Sequence, residues 1–135
     1  EGPMNSRVIN SPEAPAAIGP YSHAIRAGDI IFLSGQLPVD PKTGNLVGTD
    51  PLLQARQVFV NLRAVANTAG GDLGDIVKLT IYLSDLRHFA AVNEVMTRFF
   101  TAPYPARATI GVAALPKDAL IEVEAVMVSG ELRFN

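Results

Sequence analysis

The 135-residue sequence contains no cysteine, no tryptophan and only two histidines, His23 and His88. Without a thiol there can be no disulfide, no thiolate nucleophile, no CxxC redox pair and no cysteine-rich zinc site, and two histidines are too few for a multi-histidine metal centre. No metal is therefore expected. An excess of charge is missing too: 11 basic side chains face 13 acidic ones, and the net −2 divides as zero over residues 1–67 and −2 over residues 68–135. No basic stripe is available to follow a phosphate backbone. Long apolar runs and a charged-then-apolar leader are absent, so a cytoplasmic protein is the expectation. Glu1-Gly2-Pro3 before Met4 reads as a tag remnant, leaving residues 4–135 as a single domain. What is present is apolar: 48% hydrophobic residues, enough for one core burying about two thirds of the unfolded surface.

The pattern along the chain is a mixture of strand and helix periods. Ser11 to Pro20 is an irregular, proline-rich lead-in. Ser22–Ala27 and Ile30–Gly35 are strand-like and separated by Gly28-Asp29, a hairpin signal. Turn residues from Pro38 to Gly48 predict a surface excursion. Asp50-Pro51 supplies an N-cap and first helical residue, and Ala55, Val58, Phe59, Leu62, Ala66 and Ala69 recur at helical spacing up to Gly70-Gly71. Between Ile76 and Leu83 alternation puts Val77, Leu79, Ile81 and Leu83 on one face. A second helix carries Phe89, Val92, Met96, Phe99 and Phe100 and is ended by Pro103 and Pro105. Ala106–Val112 and Leu120–Ser129 are a further pair of strands. The order is βββαβαββ, an α+β protein with a mixed β-sheet and two helices packed on one face. The other face, with Leu120, Glu122, Glu124, Val126 and Val128, is neither plainly solvated nor plainly core, which predicts self-association.

Few residues can carry chemistry. Glu122 and Glu124 point to one face of a strand beside apolar neighbours; most such pairs are solvated, but a partly buried member would have a pKa raised toward the range useful for proton transfer. Arg107 offers a planar fork suited to a small carboxylate, or merely a bridge to a neighbouring side chain. If the last two strands close as a plain hairpin, residue 107 opposes 125 and faces away from Glu122; a bulge at Gly111 would reverse this. Spacing alone leaves the two possibilities open. Tyr21 and Ser34 place hydroxyls beside Gly19-Pro20 and Gly35, where backbone can approach a ligand, or where a hydroxyl satisfies a turn. A Ser34-His23-Asp29 triad lacks a nucleophile elbow, and Gly70-Gly71 is a helix stop and not a phosphate loop.

Taken together, Ile18-Gly19-Pro20-Tyr21-Ser22, Phe32-Leu33-Ser34-Gly35-Gln36, Gln57 with Asn61-Leu62, Asp75-Ile76-Val77-Lys78, Val92-Asn93, Phe99-Phe100, Pro105-Ala106-Arg107, Leu115-Pro116 and Ile121-Glu122-Val123-Glu124 resemble the RidA-like reactive-intermediate deaminase family over nearly the whole chain. The resemblance implies a chorismate-mutase-like α+β fold, a homotrimer with sites between subunits, and hydrolysis of 2-iminopropanoate, 2-iminobutanoate and similar imines or enamines to 2-keto acids and ammonia. It implies no cofactor, and a small-molecule partner in place of nucleic acid or membrane. By the same resemblance Arg107 holds the substrate carboxylate and Glu122 activates water. Tyr21, Ser34, Gly35 and Asn93 line the cleft, and the Thr109 backbone contacts the imino end. Thr109 departs from the cysteine of some members, His23 from a common glutamine, and Thr101–Tyr104 is shorter than in enteric relatives. A non-catalytic metabolite- or protein-binding relative is the alternative. A nuclease or translation inhibitor finds no electrostatic footprint here.

Overall fold

The structure, a computed structural model, describes residues 7–128. Glu1-Gly2-Pro3, Met4 and the end of the last expected strand at Ser129 lie outside those residues. The strands are β1 (Val8–Ile9), β2 (Ala24–Ala27), β3 (Ile30–Gln36), β4 (Ile76–Leu83), β5 (Ala106–Gly111) and β6 (Ile121–Val128), and the helices are α1 (Pro51–Thr68) and α2 (Phe89–Phe99). Their sequence is βββαβαββ, as expected, although no sequence pattern marks the two-residue β1. One mixed sheet runs β1-β2-β3-β6-β4-β5. Among the described residues no helix is long and apolar enough to cross a membrane.

Local chemistry sets the helix bounds. Asp50 Oδ1 accepts from the Leu52 amide at 2.9 Å, and Pro51 occupies the first turn, where a missing N–H costs nothing. At the other end Gly70 adopts φ +97°, a conformation that favours glycine, and the Gly71 amide donates to the Ala66 carbonyl at 3.0 Å. Val58, Phe59, Leu62 and Val65 of α1 are fully buried against the sheet. Phe59 meets the rings of Phe99 and Phe100, each at 5.7 Å between centroids, joining the helices. Burying each of these side chains stabilises the fold by about 1.5–3 kcal/mol.

Three expectations are corrected. The last two strands do not form a hairpin: β5 is an edge strand parallel to β4, whereas β6 lies between β3 and β4, antiparallel to both. Val77 leaves the apolar face and is 47% exposed, because the register shifts between Ile76 and Lys78 and Ile76 takes the inward place. On α2, Phe89 is exposed and Val95 buried instead, since the helix begins at Phe89 and its stripe starts one turn later. The face of the sheet away from the helices carries Ile30 and Phe32, 43% and 51% exposed, beside the half-buried Val126 and Val128. In a single chain this apolar surface is uncovered.

Candidate active site

The sheet distributes the expected site residues over its two faces. Tyr82 of β4 pairs with Glu122 of β6, while Leu79 pairs with both Arg107 of β5 and Ala125 of β6. Arg107 therefore shares the row of Ala125, three residues from Glu122, and an odd separation on a strand means opposite faces. The register of β4 with β5 runs unbroken from Ala106 to Gly111, so Gly111 supplies no bulge. Its missing side chain instead makes room for Leu86, whose Cγ would lie 3.0 Å from an added Cβ. Within one chain, then, Arg107 lies on the helix side and Glu122 on the open side.

Glu122 is half-buried whereas Glu124 is exposed. Burial pushes the Glu122 carboxyl above its ordinary value, and the charge of Glu124 two residues on pushes the same way. The Tyr82 phenol opposite is also raised, by burial first and then by Glu124. Across the strand pair, Gly35 lies directly against Glu122: a Cβ at position 35 would run into its carboxylate. That close approach explains a glycine in the middle of a strand. Gly35 continues into a cavity of about 210 Å³ lined by Pro15, Ile18, Tyr21, Gln36 and Lys117 among others. Tyr21 is 45% exposed there, and its hydroxyl accepts from the Ile18 amide at 3.3 Å. Ser34, next to Gly35, donates its hydroxyl to the Ser22 carbonyl at 2.6 Å.

On the other face, Nη1 of Arg107 donates to Asn93 Oδ1 at 2.6 Å and approaches Met96 Sδ at 3.5 Å, and the guanidinium sits 5.3 Å from the centre of the Phe89 ring. Neither ion pair among the described residues involves Arg107. Asn93, Met96, Thr97, Tyr104, Pro105 and Arg107 line a cavity of about 380 Å³. A permanently charged fork held by a neutral amide keeps its charge available to an incoming anion. Thr109 follows on the same side of β5, where its Oγ1 is buried without a hydrogen-bond partner. The structure thus brings Arg107 and Asn93 together, with Thr109 two residues along the same face of β5, and separately Tyr21, Gly35 and Glu122.

Sequence reasoning missed Lys117, which lines the Tyr21 cavity from a loop in which Lys117 and Asp118 hold φ of 59° and 57°. Two consecutive left-handed residues without glycine leave no compositional signal. It also missed the anchors of that loop and of the Pro38–Gly48 excursion. Gln54 of α1 donates to the Gly48 carbonyl at 2.6 Å and accepts from the Leu120 amide at 2.8 Å, and Asn61 donates to the carbonyls of Leu37 and Val39. Both are buried amides inside an otherwise apolar helix face. Their polarity at core-facing positions is the signal that could have found them. Among the described residues no group of three or more His, Asp or Glu side chains stands together as a metal site would require.

Residues 11–129 match the family model described as Endoribonuclease L-PSP. The RutC family protein y4sK of Sinorhizobium fredii is 52% identical over 119 residues, covering 88% of this chain and 94% of that one. The 2-iminobutanoate/2-iminopropanoate deaminase of Salmonella typhimurium is 48% identical, covering 91% and 98% of the two chains. The crystal structure of RidA from the Antarctic bacterium Psychrobacter sp. superposes with a TM-score of 0.87 at 45% identity, covering 90% of this chain and 98% of that one. With a family model spanning most of its length and relatives near half identity, the chain belongs to the Endoribonuclease L-PSP family, the RidA-like deaminases.

Proposed function

We propose that the protein is a hydrolytic deaminase of small 2-imino acids and their enamines, such as 2-iminopropanoate and 2-iminobutanoate, working as a homotrimer whose sites lie between subunits. The observation that carries this reading is the placement of Arg107 and Glu122 on opposite faces of one sheet, each with an open cavity or surface beside it. A neighbour packed on the uncovered Ile30 and Phe32 face would bring its own Arg107 toward this chain's Glu122. The same packing would bury the apolar surface, so one contact serves stability and chemistry. Relatives named as deaminases support the reaction class.

The chemistry needs little. Arg107, steadied by Asn93, binds the substrate carboxylate and fixes the imine carbon near Glu122. Glu122 takes a proton from water as its oxygen bonds to that carbon and passes it to the imine nitrogen as the C=N double bond becomes single. The resulting carbinolamine loses ammonia when Glu122 takes the hydroxyl proton and delivers it to the nitrogen as the C–N bond breaks, leaving the 2-keto acid. Water in, ammonia out balances the reaction. A carboxyl with a raised pKa suits both halves of this cycle, since it accepts and gives back one proton. The even charge balance favours such a small anion over a nucleic acid.

In an assay that generates 2-iminopropanoate from alanine with an amino-acid oxidase, wild-type protein should accelerate pyruvate release and Arg107→Ala should not. Equal rates with both proteins would refute the assignment. Binding of 2-ketobutyrate with no imine turnover would establish the non-catalytic alternative.

A further inference from the structure

His23 is the buried imidazole that the reaction above does not use, and its surroundings assign it a task. It is 5% exposed. Its Nδ1 accepts from the Ser11 amide at 2.9 Å, and its Nε2 lies 2.8 Å from the Pro15 carbonyl. An amide N–H can only donate and a carbonyl can only accept, so the ring is the neutral tautomer with its proton on Nε2. Its own amide donates to Asn10 Oδ1 at 3.0 Å. Ser11 is fastened in turn to helix α1, its hydroxyl reaching the Ala64 carbonyl at 3.3 Å and accepting from the Thr68 hydroxyl at 2.9 Å. One continuous set of hydrogen bonds thus runs from α1 through Ser11 and the imidazole to Pro15. Pro15 begins the stretch Pro15 to Ile18 that, with Tyr21, walls the cavity beside Gly35.

We propose that His23 is a positioning residue that clamps this wall in its substrate-accepting shape through the paired bonds of its ring to the Ser11 amide and the Pro15 carbonyl. The proposal rests on the deaminase reading for what the cavity accepts, but not for the clamp itself. Removing the ring would leave the buried Ser11 amide without this partner and free the Pro15 carbonyl. No charged side chain is bonded to the ring among the described residues. On the elements around it, Glu13 of the lead-in, Asp29 of the β2–β3 turn and Arg63 of α1 are exposed. Arg63 lies over Phe99, and Arg26 of β2 donates to the Ala69 carbonyl. Tyr21 bonds the Ile18 amide. The imidazole is thus the side chain that joins Ser11 to Pro15.

The test compares wild type, His23→Gln and His23→Ala in hydrogen exchange of the 11–22 segment, expressed as protection factors. A glutamine can accept from Ser11 and donate to Pro15. His23→Ala should lose about tenfold in protection, or more, whereas His23→Gln should keep the wild-type value. In parallel, KM for 2-iminopropanoate should rise for His23→Ala and stay level for His23→Gln, with kcat common to all three. Full protection in His23→Ala would overturn the clamp, and so would a loss in His23→Gln equal to that in His23→Ala. Expected exchange with an unchanged KM would overturn its role in the cavity. Absence of imine turnover in wild type would count against the deaminase reading alone, and the exchange comparison would still decide the clamp.

Discussion

When Arg107→Ala and Glu122→Gln subunits are unfolded together in equal amounts and refolded, the mixture should hydrolyse 2-iminopropanoate at about one quarter of the wild-type rate per subunit. Each variant alone should be nearly inactive. Losing a hydrogen-bonded charge from the site costs about 1.5–3 kcal/mol, roughly 10- to 150-fold in kcat/KM. The recovery follows from the sheet register. Arg107 stands in the row of Leu79 and Ala125, and Glu122 in that of Tyr82 on the other face, so a site using both takes them from different subunits. In random mixing, an intact arginine is drawn about half the time and an intact glutamate from the neighbour independently about half the time, giving roughly one site in four. If instead both residues served a site within one chain, no mixed assembly would hold an intact site. A refolded mixture no more active than the variants refolded apart would therefore refute the division of the site between subunits.

Gly35→Ala should cost activity and some stability. The new methyl meets the flexible side chain of Glu122, its carboxylate and then Cγ, so thermal denaturation should show a loss of about 1–3 kcal/mol at most, while kcat falls at least about tenfold as the carboxylate is displaced. Glu122→Gln should raise Tm at pH 7. A carboxyl whose folded pKa is raised contributes stability below its unfolded value and loses it as pH climbs through the folded one, and burial raises Glu122. The gain should vanish near pH 4, and a pH-independent difference would contradict the burial argument. For the same reason the acidic limb of kcat should lie above the ordinary glutamate range of about 4.3. Phe32→Lys should leave a folded monomer in sedimentation velocity at micromolar concentration. It removes about 1.5–3 kcal/mol of apolar burial per subunit and adds an ammonium at a position 51% exposed in the single chain. A trimer of unchanged mass would place the association elsewhere.

Much of the architecture was legible because it is local or periodic. Asp50-Pro51 ahead of Val58, Phe59 and Leu62 states where α1 begins and which face it buries, and alternation in β6 separates Val123, Ala125 and Met127 from Glu122 and Glu124. Even β1 entered only as a strand in the expected order, for two residues are too short to show a period. What alternation does not carry is pairing. Proximity in sequence predicted that β5 and β6 would close as a hairpin. The fold instead sets β5 parallel to β4 and inserts β6 into the centre, where both its neighbours can satisfy its amides and carbonyls. The exposed Val77 has the same origin, a bulge that no residue type announces.

The composition by itself narrowed the chemistry available: with no thiol and two histidines it excludes a thiolate nucleophile and a multi-histidine metal centre. It also supplied the residues that resemble those of the deaminases. Only the tertiary structure decided where those residues stand. It set Gly35 against the Glu122 carboxylate, gave Arg107 to Asn93, joined the Ser34 hydroxyl to the Ser22 carbonyl and tied His23 to Ser11 and Pro15. Above all it put Arg107 and Glu122 on opposite faces. Side-chain direction along a strand is fixed residue by residue, but which strand lies beside which is decided by long-range packing of the whole sheet, and a functional site is a property of that packing.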